Sequence, residues 1–392
     1  MRLSNLTRDT SASVIREMFN RALAMEDTIS FTVGEPDFVT PKPIIDAACK
    51  YWQKGMTHYT PNRGIPDLLN AIAEYHKNDL RPDPAEEILV SCGATEALQL
   101  ALFTLVDPGD EVIVVTPSWP NYLGQIRMVG AKAVCVAARE ENDFVPDLDD
   151  IKAAITPKTK AIILTSPSNP TGSVMGKDVC KDLAALLLQH DIYVISDEVY
   201  SRLVYDEAYT SISSFEGMQE RTVYVNSFSK IFAMTGWRLG YAVAPGEIVR
   251  NMTKLHENGA SCLPAPSQFA AAYGLRHCEG EIEAMRQSYQ RRRDLMCSLI
   301  NDIPGMSVRL PKGAFYAFAN IKPLTAALGI NSRAFCMDLL DKTGVVIVPG
   351  DGFGSSGEGY VRITYAAADE TIREGMARIK TYVESIQRIP PV

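Results

Sequence analysis

A lysine and an arginine follow one short hydrophobic segment of the chain, TVYVN at 222–226. Ser227 and Lys230 come directly after it, and Arg238 follows in the segment AMTGWRLGY. An amine among apolar residues can have a lowered pKa, and in its unprotonated form it condenses with carbonyl compounds. A lone lysine of this kind is more often a surface residue whose stem covers apolar side chains. This segment by itself leaves both interpretations open.

Two further hydrophobic segments end in residues that suit a phosphate and a flat ring. EILVSC is followed by Gly93, Ala94 and Thr95, which open a helical pattern whose first free N–H groups can hold a phosphate. Thr95 could instead simply cap that helix. EVIVV is followed by Trp119 between two prolines, where a rigid indole can stack on a ring, although packing in the core is its commoner role.

Two more segments supply an amide, a carboxylate and a phenol. KAIILTSPS is followed by Asn169 in the turn sequence NPTG, where asparagine is usually structural. IYVIS is followed by Asp197, and Tyr200 lies three residues further on. A carboxylate at the end of a buried strand requires a partner or a role. Together the five segments provide the groups needed to bind and tune pyridoxal phosphate: an amine, a carboxylate, a phenol, an aromatic plate, an amide and a phosphate cradle with an arginine.

The elements that must position these side chains alternate along the chain. From about residue 44 to residue 280, β-branched segments alternate with helical patterns. This predicts an α/β fold, with a mostly parallel sheet covered by helices on both faces. In such a sheet a ligand binds beyond the carboxyl ends of the strands, which is where the polar residues above are expected.

The two ends of the chain show other patterns. Residues 11–25 have the apolar spacing of an amphipathic helix. After residue 285, a polar helix at 284–299 leads into predicted strands at 314–319, 345–348 and 360–364, and a last helix starts near Glu370 with Asp369 as its N-cap. The glycine-rich sequence at 352–357 matches G-x-G-x-x-G, but the strand patterns on both sides predict a loop between strands instead of a dinucleotide site.

Composition and charge exclude several classes of protein. The net charge of the 392 residues is −8 with no block rich in Lys and Arg, which argues against a nucleic-acid or anionic-membrane surface. The apolar stretches are far shorter than the about 20 residues that a bilayer-spanning helix needs, and the N-terminus lacks the apolar segment of a secretory signal. Eight scattered cysteines with no C-x-x-C pair predict no metal site and a reducing, cytoplasmic location.

The chain resembles the fold type I pyridoxal-phosphate enzymes, specifically the class I/II aminotransferases related to aspartate aminotransferase. The matching stretches lie in the family's order from about Phe31 to Ala368: VGEPDF, HYTPNRGIPDLLNAIAEY, GATEAL, PSWPNY, PSNPTG, DEVY, SFSKIFAMTGWRLGY and VRITYAA. The resemblance implies a large cofactor domain, residues 44–284, with a mostly parallel, mixed seven-stranded sheet. It also implies a smaller α+β domain formed by residues 1–43 and 285–392.

The resemblance further implies roles for the residues at the strand ends. Lys230 would form a Schiff base with the cofactor and act as general base and acid in the proton shift at the substrate Cα. Asp197 would pair with the pyridine N–H, so that the ring acts as an electron sink. Tyr200 and Asn169 would hydrogen-bond the phenolic oxygen of the cofactor, and Trp119 would stack on its ring.

Other residues would hold the anionic groups. The cofactor phosphate would be bound by Ala94, Thr95, Ser227 and Arg238. Arg362 would grip the substrate α-carboxylate, assisted by Asn169 and the backbone N–H of Gly34. In the family, the tyrosine of the H-Y-T-P stretch reaches the phosphate of the neighbouring subunit, so Tyr59 implies a homodimer with shared active sites.

The activity implied is that of an aminotransferase, which moves the amino group of an L-amino acid to a 2-oxo acid by a ping-pong mechanism. Alternatives are a lyase of the same fold, such as a Cβ–S lyase, and a non-catalytic protein that binds pyridoxal phosphate. One bacterial branch of aspartate aminotransferases carries a lysine for the distal carboxylate where this chain has Thr95. Arg16 and Arg63 are candidates to replace it, and the preferred side chain stays open among aspartate, aromatic, branched and methionine-like amino acids.

Overall fold

A computed structural model of the protein describes residues 2–9, 14–23 and 25–387. In this part of the chain the α-helices are α1 (Asn5–Asp9), α2 (Val14–Leu23), α3 (Lys42–Gln53), α4 (Pro66–Tyr75), α5 (Gly93–Leu105), α6 (Asn121–Met128), α7 (Leu148–Ala154), α8 (Lys177–Leu187), α9 (Phe228–Ile231), α10 (Gly246–Gly259), α11 (Ala265–His277), α12 (Glu279–Asn301), α13 (Lys322–Leu328), α14 (Ser332–Thr343) and α15 (Asp369–Gln387). The strands are β1 (Ile29–Ser30), β2 (Ile88–Ser91), β3 (Glu111–Thr116), β4 (Lys132–Ala137), β5 (Thr159–Thr165), β6 (Tyr193–Asp197), β7 (Thr222–Ser227), β8 (Gly240–Val243), β9 (Tyr316–Asn320), β10 (Val345–Val346), β11 (Val348–Pro349) and β12 (Tyr360–Thr364).

Seven strands form one mixed sheet in the order β2-β8-β7-β6-β5-β3-β4. Strand β8 runs antiparallel to both of its neighbours, and the other neighbouring strands pair in parallel. Successive side chains of a strand point to opposite faces. In β2, accordingly, Ile88 and Val90 pack in one hydrophobic cluster with α3, α4 and α11, whereas Leu89 packs in another with α5 and α10. Helices therefore cover both faces, and the predicted α/β fold is confirmed.

Elements from both ends of the chain share a separate hydrophobic cluster. Strands β11, β12 and β9 form an antiparallel sheet, and β1 pairs in parallel with β10. Buried residues of α2, α12, α14 and α15 pack together with residues of β9, β10 and β12. This arrangement is the one expected of a smaller α+β unit, and Arg362 of β12 contacts Asn169, which follows β5 of the large sheet. The exact domain bounds stay a prediction.

Several predicted boundaries shift in the structure. The predicted strand at 345–348 is two short strands, because the chain changes its pairing partner from β1 to β12 at Ile347. The predicted helix at 284–299 is longer, since α12 runs from Glu279 to Asn301. Asp369 is the first residue of α15 and not its N-cap, and Thr95 lies inside α5, whose N-cap is Cys92.

Two other predictions concern loops and the membrane. Between β11 and β12, the glycine-rich stretch forms two 3₁₀ turns, Gly350–Phe353 and Ser355–Gly357, so the predicted loop between strands is confirmed. The helix predicted over residues 11–25 is observed as α2 in the described segment, and residues 11–13 and 24 lie outside the described residues. Among the helices that the structure describes, none is both long and apolar enough to cross a membrane.

Candidate active site

The carboxyl ends of the central strands, the N-terminus of α5 and strand β12 border one cleft of about 670 Å³. This volume lies within the range typical of small-molecule sites. The structure brings these predicted site residues together in the cleft lining: Gly34, Ala94, Thr95, Trp119, Asn169, Asp197, Tyr200, Ser227, Lys230, Arg238 and Arg362. Tyr59 lies outside the cleft, and its side chain is 94% exposed.

Lys230 lies in the short helix α9, directly after strand β7. The hydroxyl of Ser227 caps this helix by accepting a hydrogen bond from the backbone N–H of Ser229. The Lys230 amine donates a hydrogen bond to the Gly34 carbonyl oxygen at 2.5 Å. Burial lowers the pKa of this amine to about 8, against an opposing attraction to Glu35. An amine with this pKa is available as a nucleophile and as a proton carrier near neutral pH.

Asp197 is the last residue of strand β6 and is buried, with 4% of its surface exposed. Its Oδ2 accepts a hydrogen bond from the Tyr122 hydroxyl at 2.6 Å. Burial raises the pKa of the carboxyl to about 6, and the Tyr122 hydrogen bond and the Lys230 charge oppose this rise. A ligand N–H cation placed beside this carboxylate would compensate its desolvation.

The N-terminus of α5 and Arg238 lie together in the cleft lining, and their chemistry suits an anion. Gly93 begins the helix with a φ of +71°, which favours glycine, and a Cβ at this position would lie 2.7 Å from Nη2 of Arg238 and would displace its guanidinium. The Cys92 backbone N–H is bound by the carboxylate of Glu96, at 2.5 Å, and Glu96 in turn contacts the buried His256. The first N–H groups of the helix itself have no intrahelical partner, so beside the guanidinium of Arg238 they are suited to an external anion.

Arg362 on strand β12 is a buried cation without a carboxylate partner. Its side chain is 1% exposed, and no ion pair in the described part of the chain involves it. It donates hydrogen bonds to Oδ1 of Asn169, at 3.0 Å, and to the Thr32 carbonyl oxygen, while its Nε has no partner among the described residues. Burial lowers its pKa. Such a guanidinium is suited to a carboxylate brought by a ligand.

Two tyrosines of the cleft lining escaped the sequence analysis. Tyr122 on α6 binds Asp197, and the hydroxyl of Tyr316 on β9 lies 2.7 Å from the hydroxyl of Tyr200. Burial raises the pKa of both Tyr200 and Tyr316, so these phenols stay protonated. Tyr122 is the last residue of PSWPNY, one of the stretches that carry the family resemblance, so the sequence could have identified it. Nothing in the strand pattern around Tyr316 indicates a site residue.

Some predicted residues have other contacts. The Ser227 hydroxyl donates to Ser229 Oγ at 2.8 Å, so it also shapes the turn into α9. Trp119 packs edge-on against Tyr122, with ring centroids 5.4 Å apart. Arg63 donates to the Pro84 carbonyl oxygen and does not line the cleft, while the side chain of Arg16 lies outside the described residues.

The residues present fit pyridoxal phosphate. The half-buried Lys230 amine suits an aldehyde, Asp197 suits a pyridine N–H, and the start of α5 with Arg238 suits a phosphate. The orphaned buried Nε of Arg362 remains for a second anionic group, a carboxylate. Among the described residues no group of three or more His, Cys, Asp or Glu side chains could hold a metal ion.

Comparisons with known proteins agree with this chemistry. The family model of aminotransferase class I and II matches residues 26–379. An aspartate aminotransferase of Pyrococcus abyssi is 43% identical over 97% of this chain and 98% of its own length. Aromatic-amino-acid aminotransferase 2 of Thermococcus litoralis is 40% identical over 97% of this chain and 98% of its own. The solved structure of the Thermus thermophilus aspartate aminotransferase with maleate superposes with a TM-score of 0.91 at 36% identity, covering 97% of this chain and all of that one.

Proposed function

The chain belongs to the class I and II aminotransferases and is therefore a pyridoxal-phosphate-dependent transaminase, and we propose that Lys230, Asp197 and Arg362 carry its reaction on L-amino acids and 2-oxo acids. The observation that carries the proposal is the pairing, in one cleft, of a half-buried amine with a buried guanidinium that has no carboxylate partner among the described residues. When bound, the cofactor supplies a carbonyl group and an electron-withdrawing ring.

Arg362 binds and orients the substrate. Its guanidinium holds the α-carboxylate by charge-assisted hydrogen bonds, and Asn169 and the Gly34 N–H complete this contact. Fixing the carboxylate fixes the direction of the Cα–H bond, which is the geometric part of the catalysis. Because the Lys230 amine hydrogen-bonds the carbonyl of Gly34, the carboxylate site and the amine are joined through one residue.

Lys230 moves the proton. With a pKa of about 8, its amine would take the proton from the substrate Cα as general base and, as general acid, deliver it to the other end of the 1,3-proton shift, the carbon that carried the carbonyl group of the cofactor. Asp197 keeps the pyridine nitrogen protonated, and the Tyr122 hydrogen bond holds its carboxylate in place.

The remaining cleft residues bind the cofactor. We assign the phosphate to Ala94, Thr95, Ser227 and Arg238, where the N–H groups and dipole of α5 add to the charge of the arginine. Tyr200 and Asn169 donate hydrogen bonds to the phenolic oxygen of the cofactor, and Trp119 covers its ring.

We extend the proposal to the assembly and location of the protein. A homodimer in which Tyr59 reaches the partner's phosphate site is supported by the 94% exposure of this side chain outside its own cleft. Light scattering should give the mass of a dimer, and Tyr59→Phe should weaken cofactor binding at unchanged mass. A monomer at working concentration would contradict the proposal.

A reducing, cytoplasmic location is supported by the eight cysteines, all of which are free.

The two half-reactions test the activity directly. A panel of aspartate, aromatic, branched and methionine-like L-amino acids is added singly to the yellow holoenzyme, and the absorbance of the cofactor is followed. At least one amino acid should bleach the colour, and a 2-oxo acid should restore it. Release of pyruvate and ammonia without stable bleaching would instead identify a lyase and overturn the proposal.

A further inference from the structure

Tyr316 lies where three parts of the site meet. It is the first residue of β9, it is 1% exposed, and its hydroxyl is 2.7 Å from that of Tyr200. Its ring lies beneath the guanidinium of Arg362, whose Cζ is 4.6 Å from the ring centroid. Tyr316 therefore connects the cation of the carboxylate site to the phenol beside the cofactor site.

Gly34 leaves the space that the Tyr316 hydroxyl occupies. A Cβ at Gly34 would lie 2.0 Å from the hydroxyl oxygen of Tyr316, and the φ of Gly34 is one that other residues adopt. The glycine is thus required by this contact and not by backbone conformation. The carbonyl of Gly34 also accepts the hydrogen bond from Lys230.

The direction of the hydrogen bond between the two phenols decides what Tyr200 can do. Each phenol has one O–H, so Tyr200 can donate either to Tyr316 or to an acceptor in the cleft. The charge of Arg362 acts on both phenols, but its guanidinium lies over the ring of Tyr316, whereas burial and the neighbouring Asp197 charge raise the pKa of Tyr200. Tyr316 is therefore the better donor of the two. When Tyr316 donates, the single O–H of Tyr200 is left for the cleft.

We propose that Tyr316 is a positioning residue, which donates its hydroxyl to Tyr200 and so directs the O–H of Tyr200 at the phenolic oxygen of the bound cofactor. This inference rests on the proposed function, which gives Tyr200 that contact. A hydrogen bond to the phenolic oxygen stabilises its anionic form and weakens its hold on the proton of the cofactor–Lys230 imine. Loss of the Tyr316 hydroxyl leaves the Tyr200 oxygen without this donor, which weakens the onward hydrogen bond of Tyr200 to the phenolic oxygen. The imine proton then becomes harder to remove.

The first test is the pH titration of cofactor absorbance in the Tyr316→Phe holoenzyme. The midpoint should rise by about half to one pH unit relative to the unchanged protein. Phenylalanine keeps the ring beneath Arg362, so the KM of the amino acid should stay within about twofold while kcat falls. The matched control is Tyr365→Phe, which removes another buried hydroxyl, one that donates to the Ala314 carbonyl oxygen, and should leave the midpoint in place.

A double-mutant cycle separates action through Tyr200 from an independent effect. Tyr200→Phe should raise the midpoint more than Tyr316→Phe, and the double variant should match Tyr200→Phe alone. Gly34→Ala, which displaces the hydroxyl without deleting it, should shift the midpoint in the same direction. Additive shifts, or a Tyr316→Phe midpoint equal to that of Tyr365→Phe, would overturn this inference while leaving the proposed function intact. Cofactor absorbance that does not change with pH in the unchanged protein would overturn this inference alone, and absence of any cofactor absorbance would overturn both.

Discussion

The hydroxyl of Tyr122 donates a hydrogen bond of 2.6 Å to Oδ2 of Asp197. Thr165 lies on the other side of the phenol, with 2.7 Å between the two hydroxyl oxygens. Since the O–H of Tyr122 is given to the carboxylate, the Thr165 hydroxyl is the donor in this second contact. Burial and the Asp197 charge raise the pKa of Tyr122 well above its ordinary range, which keeps it a donor. The carboxylate is therefore anchored from α6 and not from its own strand alone.

Removing this anchor should weaken the grip on the cofactor. In Tyr122→Phe the carboxylate loses a charge-assisted hydrogen bond, so its pKa rises further and it favours the charged pyridine less. We expect the apparent Kd for pyridoxal phosphate to rise by about tenfold, measured by absorbance titration of the apoprotein. Tyr241→Phe is the matched control, because this buried phenol contacts His76 at 2.8 Å and does not line the cleft. Equal effects of the two substitutions would show that Tyr122 has no special link to Asp197.

The raised pKa of Asp197 predicts how the stability of the apoprotein varies with pH. Burial raises this pKa from the ordinary value of 3.8 to about 6, so between these values the folded chain holds a proton that the unfolded chain has released. This group's contribution to stability therefore falls as pH rises from about 4 to 6, by up to about 3 kcal/mol. The neutral side chain of Asp197→Asn lacks this loss. In urea unfolding, the free energy of unfolding of Asp197→Asn should rise relative to that of the unchanged apoprotein between pH 4.5 and 7.5. A difference between the two proteins that stays constant over this range would contradict the raised pKa of Asp197.

Arg362→Ala should weaken every substrate alike. The variant loses charge-assisted hydrogen bonds to the α-carboxylate, worth about 1.5–3 kcal/mol, which corresponds to a fall in kcat/KM of about 10- to 150-fold. Arg362→Lys keeps the charge without the planar fork and should recover only part of the loss. The measurement is kcat/KM for an acidic and a neutral amino acid in parallel. A loss confined to the acidic substrate would make Arg362 a side-chain selector instead.

The strand ends were predictable because the hydrophobic segments are unambiguous and their carboxyl ends meet at one edge of the sheet. The sequence pattern alone therefore predicted that Asp197, Asn169 and Lys230 lie at this edge. The role of Arg362 was predicted from the family resemblance. Side chains that enter from other layers were not predictable. Tyr316 reaches Tyr200 because the chain before β9 lies against the segment after β6, where Val204 and Gly313 form an antiparallel bridge. A strand pattern does not specify which segment it will meet in this way.

The start of α5 illustrates a second limit. Thr95 is a good capping residue by type, but the observed N-cap, Cys92, lies three residues earlier, where Gly93 adopts a positive φ and Glu96 binds the Cys92 N–H. Propensity alone does not distinguish these arrangements, since both leave free N–H groups at the helix start.

The central claim is that Lys230 carries the cofactor, and chemical trapping tests it most directly. The yellow holoenzyme is reduced with borohydride, which converts the bond between the lysine and the cofactor into a stable amine, and the digested chain is mapped by mass spectrometry. We expect the cofactor mass on Lys230 and no turnover by Lys230→Ala, while Lys312→Ala, a lysine outside the cleft, stays active. Attachment at another lysine, or substantial activity of Lys230→Ala, would contradict the account.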